Sequence, residues 1–265
     1  MMERVAILSD VHGNLTALET VFADIEKRGI TKIFCLGDSI VKCANPDKVI
    51  DLLREKCDVI LLGNCDETIC KPDVTSGRFW SRDKMGEERA NFIYHLPVSY
   101  DFYMSGHLIR LFHASPISLE HVFNPMCSNV DTLYFDRIIN DPNDLFKNTD
   151  FIGKTKNDPI PDIVGYGHLH TPNLYRFGNK TIFNVGSVGV PVEMMNEGSE
   201  TVSSKFSTMA SYVILEGELN AKELSSISFC FVRLPYDIEK EIAYLMASDM
   251  PNKEIIMQSL RTANH

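Results

Sequence analysis

The stretch Arg4-Val5-Ala6-Ile7-Leu8-Ser9-Asp10-Val11-His12-Gly13-Asn14 is a short apolar run that ends in a cluster of polar and small residues. Apolar positions Leu15, Leu18, Phe22 and Ile25 follow at helical spacing, with Gly29 as a stop, so the reading is strand, loop, helix. The pattern then repeats. Lys32 to Leu36 is a second buried-strand candidate ending at Gly37-Asp38, and Pro46 suits the start of a helix whose apolar face is Val49, Ile50, Leu52 and Leu53. A third strand, Val59 to Leu62, ends at Gly63-Asn64. Strands alternating with helices predict parallel βαβ units, in which ligand-binding groups gather at the strands' carboxyl ends.

Beyond a helical stretch at about 81–95, the pattern turns strand-like at Ser99 to Met104 and His107 to His113, with a Ser105-Gly106 turn between them. Residues from about 116 to 161 are polar and proline-punctuated, and read as an insertion with a short helix near Asp131 to Ile139. Strands resume at Ile163 to Tyr166, Asn173 to Phe177, Lys180 to Val185, Tyr212 to Leu215 and Ile227 to Arg233, before a helical tail from Asp237. A chain of 265 residues accommodates all of this as one domain, 1–265, carrying the insertion.

With 44% hydrophobic and 23% charged residues the chain is expected to fold and to stay in water. No apolar run suggests a secretory leader or a membrane span, and the expected location is the cytoplasm. The seven cysteines, at 35, 43, 57, 65, 70, 127 and 230, lack disulfide-scaffold density and read as reduced thiols. A net charge of −10 argues against an extended nucleic-acid surface, so an anionic substrate needs a local source of positive charge.

Asp10-Val11-His12 places two ligand-type side chains two residues apart, which in extended backbone points both to one side. His168-Leu169-His170 repeats the spacing after another strand. Between them Asp38, Asn64 and His113 each close an apolar run. Taken singly, Asp10 reads as a helix cap, Gly37-Asp38 and Gly63-Asn64 as turns and His113 as a core histidine. Taken together, five clusters after five strands supply a mixed oxygen and nitrogen set that suits Mn, Fe, Zn, Ni or Co better than calcium. Asn14 lies where backbone amides at a helix start face an anion, and is a candidate phosphate contact.

These residues resemble the motifs of the calcineurin-like metallophosphoesterases, in order and spacing: Asp10-Val11-His12, Gly37-Asp38, Gly63-Asn64-Cys65-Asp66, His113 and Gly167-His168-Leu169-His170. Asn184 to Pro191 looks like the Gly-Ser-rich stretch of the small bacterial and archaeal phosphodiesterase branch, and the likeness spans about residues 4–235 apart from the insertion. The resemblance implies an α/β fold in four layers, α/β/β/α. It assigns Asp10, His12 and His170 to one metal ion, Asn64, His113 and His168 to a second, and Asp38 as the bridge. Two divalent or trivalent transition-metal ions about 3.5–4 Å apart would then align a bridging hydroxide for in-line attack, with no protein nucleophile.

Two positions depart from the family pattern. Cys65 stands where many members carry histidine, and a thiol is a poorer proton donor, although it remains a candidate phosphate contact. Val192 replaces the usual arginine after Pro191. The resemblance points to hydrolysis of phosphodiester or nucleotide phosphoanhydride bonds, including diadenosine-polyphosphate-like substrates. Phosphomonoester or phosphoprotein cleavage, and a non-catalytic scaffold like the retromer subunit of this fold, are the alternatives. The insertion, both of whose ends fall near expected ligands, reads as a substrate cap in which Tyr134, Phe135 and Arg137 meet a base or a distal phosphate.

Overall fold

In the computed structural model, residues 2–74, 79–124, 137–196 and 202–262 are described. The run that opens the chain forms β1 (Glu3–Leu8), whose last four residues are all buried. Ala6 and Leu8 enter one core and Val5 and Ile7 another, so the strand is covered on both faces and its sequence is continuously apolar. Parallel partners β2 (Lys32–Cys35) and β3 (Val59–Ile60) follow on one side. On the other side β11 (Met209–Gly217) and β12 (Ser228–Pro235) run antiparallel and complete a five-stranded sheet in the order β12-β11-β1-β2-β3.

Helices α1 (Leu15–Lys27) and α2 (Pro46–Lys56) make the crossovers and bury Leu18, Val21, Ile25, Val49, Ile50 and Leu53 on this sheet's outer face. A short α3 (Asn64–Cys70) starts directly after β3. The helical stretch expected at about 81–95 is two helices, α4 (Trp80–Met85) and α5 (Glu87–Tyr94). Gly86, at φ 77°, breaks it, because a left-handed residue ends the hydrogen-bond run. The tail is α6 (Ile238–Ala247) and α7 (Lys253–Thr262).

The second sheet has the order β4-β5-β6-β8-β7, from β4 (Ser99–Met104), β5 (His107–Phe112), β6 (Ile163–Tyr166), β7 (Asn173–Phe177) and β8 (Lys180–Asn184). Its inner face meets the first sheet through Ile109, Leu111, Ile163 and Phe183, packed on Val5, Ile7, Phe34 and Val213. Two mixed sheets are thus stacked face to face with helices outside, as the resemblance implied. A separate hairpin, β9 (Val192–Asn196) with β10 (Val202–Phe206), lay outside the sequence expectation.

The segment at 116–161 gains a topological explanation. Strands β5 and β6 are parallel neighbours, so the chain between them has to travel back along the sheet, which takes a dozen residues or more. Its described part does so across the sheet's outer face, burying Val122, Phe123, Leu145 and Phe146 against Phe112, Val164 and Tyr166. It uses loop and two 3₁₀ turns, Pro142–Phe146 and Asp150–Ile152. Arg110, fully buried on β5, clamps it down by donating to Asp101 on β4 and to Asn148. Most of the helix expected near Asp131 to Ile139, with Tyr134 and Phe135, lies outside the described residues. Arg137 is ion-paired with Glu120 at 2.9 Å, within the same segment.

Candidate metal centre

Each sequence-predicted metal ligand follows a strand: Asp10 and His12 after β1, Asp38 after β2, Asn64 after β3, His113 after β5, and His168 and His170 after β6. Three of these strands belong to one sheet and two to the other, so the site forms where the carboxyl ends of both sheets meet. The backbone there is not the extended form expected for the two Asp/His-x-His pairs. Asp10, His12, Asp38, His168 and His170 all have φ between 51° and 63°. Ten described non-glycine residues have positive φ, and seven of them, these five with Val41 and Lys42, lie in this region, so local strain is concentrated at the site.

The surrounding loops hold that conformation. Asp10 N–H donates to Gly37 O, His12 N–H to Asp38 O and Gly13 N–H to Ser39 O, which zips the loop after β1 to the loop after β2. Asp66, fully buried, accepts from the N–H groups of Ser39, Ile40 and Gly63 and ties in the loop after β3. Glycine is required where these loops touch: a side chain on Gly63 would collide with Asp38, and one on Gly167 with Ser9 and Asp10. The Gly-Ser-rich stretch backs the first loop, since Val188 and Gly189 N–H donate to Ser9 and Asp10 carbonyls and Ser187 Oγ donates to Asp10 O.

Two groups of donor atoms result. In one, His170 Nε2 lies 3.1 Å from His12 Nε2 and 3.2 Å from Asp10 Oδ1. In the other, Asn64 Oδ1 lies 2.9 Å from His113 Nε2 and 3.0 Å from His168 Nδ1. Asp38 stands between them, with Oδ2 3.9 Å from His12 Nε2 and Oδ1 3.6 Å from His113 Nε2. All seven expected ligands are therefore brought together at one place in the fold.

Electrostatics say what the site lacks. The Nδ1 atoms of His12, His113 and His170 face the carbonyl oxygens of Ile40, Leu36 and Val190, which only accept, so each Nδ1 donates outward and each Nε2 is turned inward. Asp10 Oδ1 is buried with no hydrogen-bond partner. Burial, then the Lys42 and His170 charges, pushes His12 well below the ordinary histidine range. Burial, then His113, takes His168 down to about 4. Burial opposes the charge on Asp10 and Asp38, yet the imidazoles, His170 foremost for Asp10 and His113 for Asp38, hold both carboxyls below the usual aspartate range. Burial and the charge of Asp38 lift Asp66 to about 7. Imidazole nitrogens and carboxylate oxygens thus converge, and groups such as Asp10, His12, His170 and Asp10, Asp38, His113 offer atoms within 4.8 Å of one another. This donor set fits metal cations.

The two candidate phosphate contacts fare differently. Asn14 is fully buried, caps α1 by accepting from Ala17 N–H, and donates to Gly189 O and Tyr236 Oη, so its polar atoms are turned inward and committed. Helix capping outcompetes ligand contact at that position. Cys65 does reach the site, sharing a 4.8 Å grouping with His12 and Asp38. Burial, then the Asp38 charge, pushes its thiol well above the ordinary range, so it is protonated at neutral pH. The loop-organising role of Asp66 carried one sequence signal, its place in the Gly63-Asn64-Cys65-Asp66 motif; the position of Lys42 carried none.

Residues 2–206 match the calcineurin-like phosphoesterase superfamily domain. Over 256 residues the chain is 27% identical to an uncharacterized protein of Methanocaldococcus jannaschii, covering 93% of each. Its fold is similar to that of a metallophosphoesterase from Sphaerobacter thermophilus, with 21% identity, 98% of this chain and 99% of that one covered, and a TM-score of 0.65. It is also similar to that of a hypothetical protein from Pyrococcus horikoshii, at 16% identity, 97% coverage of both and a TM-score of 0.65. With the family match extending over most of the sequence and the motif residues gathered at one place in the fold, the chain belongs to the calcineurin-like phosphoesterase superfamily.

Proposed function

We propose that the protein is a phosphoester hydrolase that works with two transition-metal ions and acts on phosphodiester or nucleotide phosphoanhydride bonds. The observation that carries this reading is the carboxylate of Asp38, whose two oxygens turn toward different groups of donor atoms, His12 on one side and His113 on the other. Asp10, His12 and His170 would hold one ion and Asn64, His113 and His168 the other. Bound there, the ions supply charge for phosphoryl oxygens and acidify water for in-line attack. The protein contributes orientation. Backbone carbonyls fix the imidazole tautomers, Asp66 fixes the loops of Asp38 and Asn64, and the His168 N–H donates to Asp10 Oδ2 and aims its other oxygen.

The protonated thiol of Cys65 is a weak proton donor to a departing oxygen, which favours diesters, anhydrides and other substrates with good leaving groups. Among the described residues six cysteines are free thiols, which supports our reading of a small phosphorylated substrate met in the cytoplasm. The test compares bis-p-nitrophenyl phosphate, p-nitrophenyl phosphate and dinucleoside polyphosphates on one preparation loaded in turn with Mn, Fe, Zn, Ni and Co. Faster turnover of the diester or the dinucleotide supports the proposal. Preference for the monoester would replace it with phosphomonoesterase activity, and inertness with every metal would favour a scaffold.

A further inference from the structure

The metal ligands stand at the carboxyl ends of β5 and β6, and a second cavity, of about 280 Å³, opens at the amino ends of the same strands. His107 begins β5 and Ile163 begins β6. Ile163 pairs across the sheet with Thr181 on β8, and Thr181 with Arg176 on β7, so these three share one face. Ile163 packs between the sheets, which makes that face the inner one, and His107 falls on it by alternation with Ile109 and Leu111. The inner faces of a sandwich ordinarily form its apolar core. At this open end the second sheet's inner face carries a guanidinium, a hydroxyl and an imidazole, with Phe229 of β12 lining the same cavity. Asn179, in the two-residue turn between β7 and β8, adds an amide.

None of these four polar side chains has a hydrogen-bond or ion-pair partner among the described residues. Lys180, which also lines the cavity, is spent elsewhere: its ammonium donates to Pro161 O and lies 4.8 Å from the centre of the Phe146 ring, on the sheet's outer face. Asp162 is turned to Leu108 N–H. An inward charge on an edge strand can serve to prevent edge-to-edge association. That accounts for Arg176 on β7 and not for His107, three strands away in the order β5-β6-β8-β7. In a chain of net charge −10, a cationic, donor-rich recess of this kind needs a local reason. We propose that the cavity binds a phosphate-type oxyanion, either inorganic phosphate or the phosphate of a small phosphomonoester. The fork of Arg176 grips two oxygens, and the imidazole, amide and hydroxyl reach the others from different directions, a spread that suits a tetrahedral anion better than a planar carboxylate. The site is separate from the metal centre and does not rest on the proposed function.

The experiment uses the full-length protein, chelated so that phosphate has no metal to bind, as wild type, Arg176→Gln and Arg176→Lys. Arg176 is exposed, so its replacement leaves the apolar core in place. Backbone amide NMR spectra are recorded while inorganic phosphate, phenyl phosphate or, at equal ionic strength, sodium chloride is added. Phosphate should move the amides of His107 and of residues 178–181 saturably, and chloride should not. Arg176→Gln should weaken phosphate binding on the order of 10-fold or more, and Arg176→Lys by less. Tighter binding of phenyl phosphate than of phosphate would support the site with a phosphomonoester as its ligand, and equal binding would support it with the free anion. Shifts that chloride reproduces would overturn the proposal. So would an Arg176→Gln variant of unchanged phosphate affinity, and if that variant also dimerised, Arg176 would be a guard of the sheet edge.

Discussion

The Nε2 atoms of His12 and His170 face each other at 3.1 Å, while the Nδ1 atoms of the same rings meet the carbonyl oxygens of Ile40 and Val190. Two inward-turned Nε2 atoms so arranged leave no hydrogen-bond acceptor opposite a donor, and burial resists the proton that would bridge them at His12. A bound cation removes the conflict, so chelated protein should be stabilised when metal is returned. At a free metal concentration of about 100 times Kd the gain is roughly 2.7 kcal/mol, or ~5–10 °C in melting temperature. Calorimetry on chelated and reloaded protein measures it. His170→Ala should lose most of the shift, and a wild type indifferent to Mn, Zn or Fe would contradict a metal centre.

Asp38→Asn tests the bridge. Oδ1 of Asp38 accepts from Cys65 N–H at 2.9 Å, a bond that an asparagine oxygen can keep, while the side facing His12 would become an NH2 group unable to ligate. The fold should survive, since no apolar contact is lost. Metal content should fall toward one ion per chain and turnover by about 100-fold or more. Elemental analysis beside circular dichroism separates this from unfolding, and full metal content with normal turnover would refute bridging.

Much of this was legible in the sequence, and the reasons are local. Val5 to Leu8 and Ile33 to Leu36 read correctly as buried strands because both faces of each are covered, leaving unbroken apolar runs. The seven candidate ligands stood out because Asp38, Asn64 and His113 each close an apolar run and the Asp10/His12 and His168/His170 pairs follow one. Their backbone was not legible: spacing alone does not separate extended residues from left-handed ones, and Asp10, His12, His168 and His170 are held left-handed by neighbouring loops. Asn14 misled because a helix-start asparagine serves as cap or as anion contact, and only the packing of Gly189 and Tyr236 around it decides. That the segment at 116–161 carries the chain between parallel β5 and β6 depends on a strand order that sequence does not display.

Cys65→His should improve reactions with poor leaving groups. The thiol is raised by burial and by Asp38 and keeps its proton at neutral pH, whereas an imidazole there can give one up to a departing alkoxide. An increase of about 10-fold or more is expected for alkyl or phenyl monoesters, with little change for p-nitrophenyl esters. A series of substituted phenyl phosphates measures the dependence on leaving group, and equal slopes for the two proteins would sink the argument.

Arg110→Leu should release the covering segment. The guanidinium is completely buried, grips both oxygens of Asp101 at 2.8 and 2.9 Å and donates to Asn148 at 2.8 Å. Burial works against the Asp101 charge, but Arg110 and then Lys154 hold its carboxyl below the ordinary range. Removing one partner of such a pair costs about 3–5 kcal/mol, and the partial exposure of Asp101 with its second partner Lys154 places the expectation near 3. Denaturant midpoints give the loss, and limited proteolysis should cut within 116–161 before the sandwich opens. Cleavage elsewhere first would mean that the segment is held by Phe123 and Phe146 rather than by Arg110.

The C-terminal helix α6 sends Glu241 into the start of α1, where one oxygen accepts from Thr16 N–H at 3.1 Å and from Thr16 Oγ1 at 2.8 Å. Its other oxygen is buried with no hydrogen-bond partner. Burial raises this carboxyl above the ordinary glutamate range, the two Thr16 donors opposing and the Glu19 charge adding to the rise. Between the unfolded and the folded pKa the native chain therefore holds a proton that the unfolded chain has lost. Stability falls as pH climbs through that window, and levels off above the folded value. Glu241→Gln keeps an acceptor for Thr16 and abolishes the titration, so the variant should match wild type in acid and exceed it by roughly 1 kcal/mol at neutral pH. Urea midpoints of both proteins, taken pH by pH on chelated samples, give a difference curve in which the metal-site groups cancel. That curve should rise from the glutamate range upward; a flat one would show that Glu241 titrates alike in the folded and unfolded chains, and that its unpartnered oxygen carries no cost.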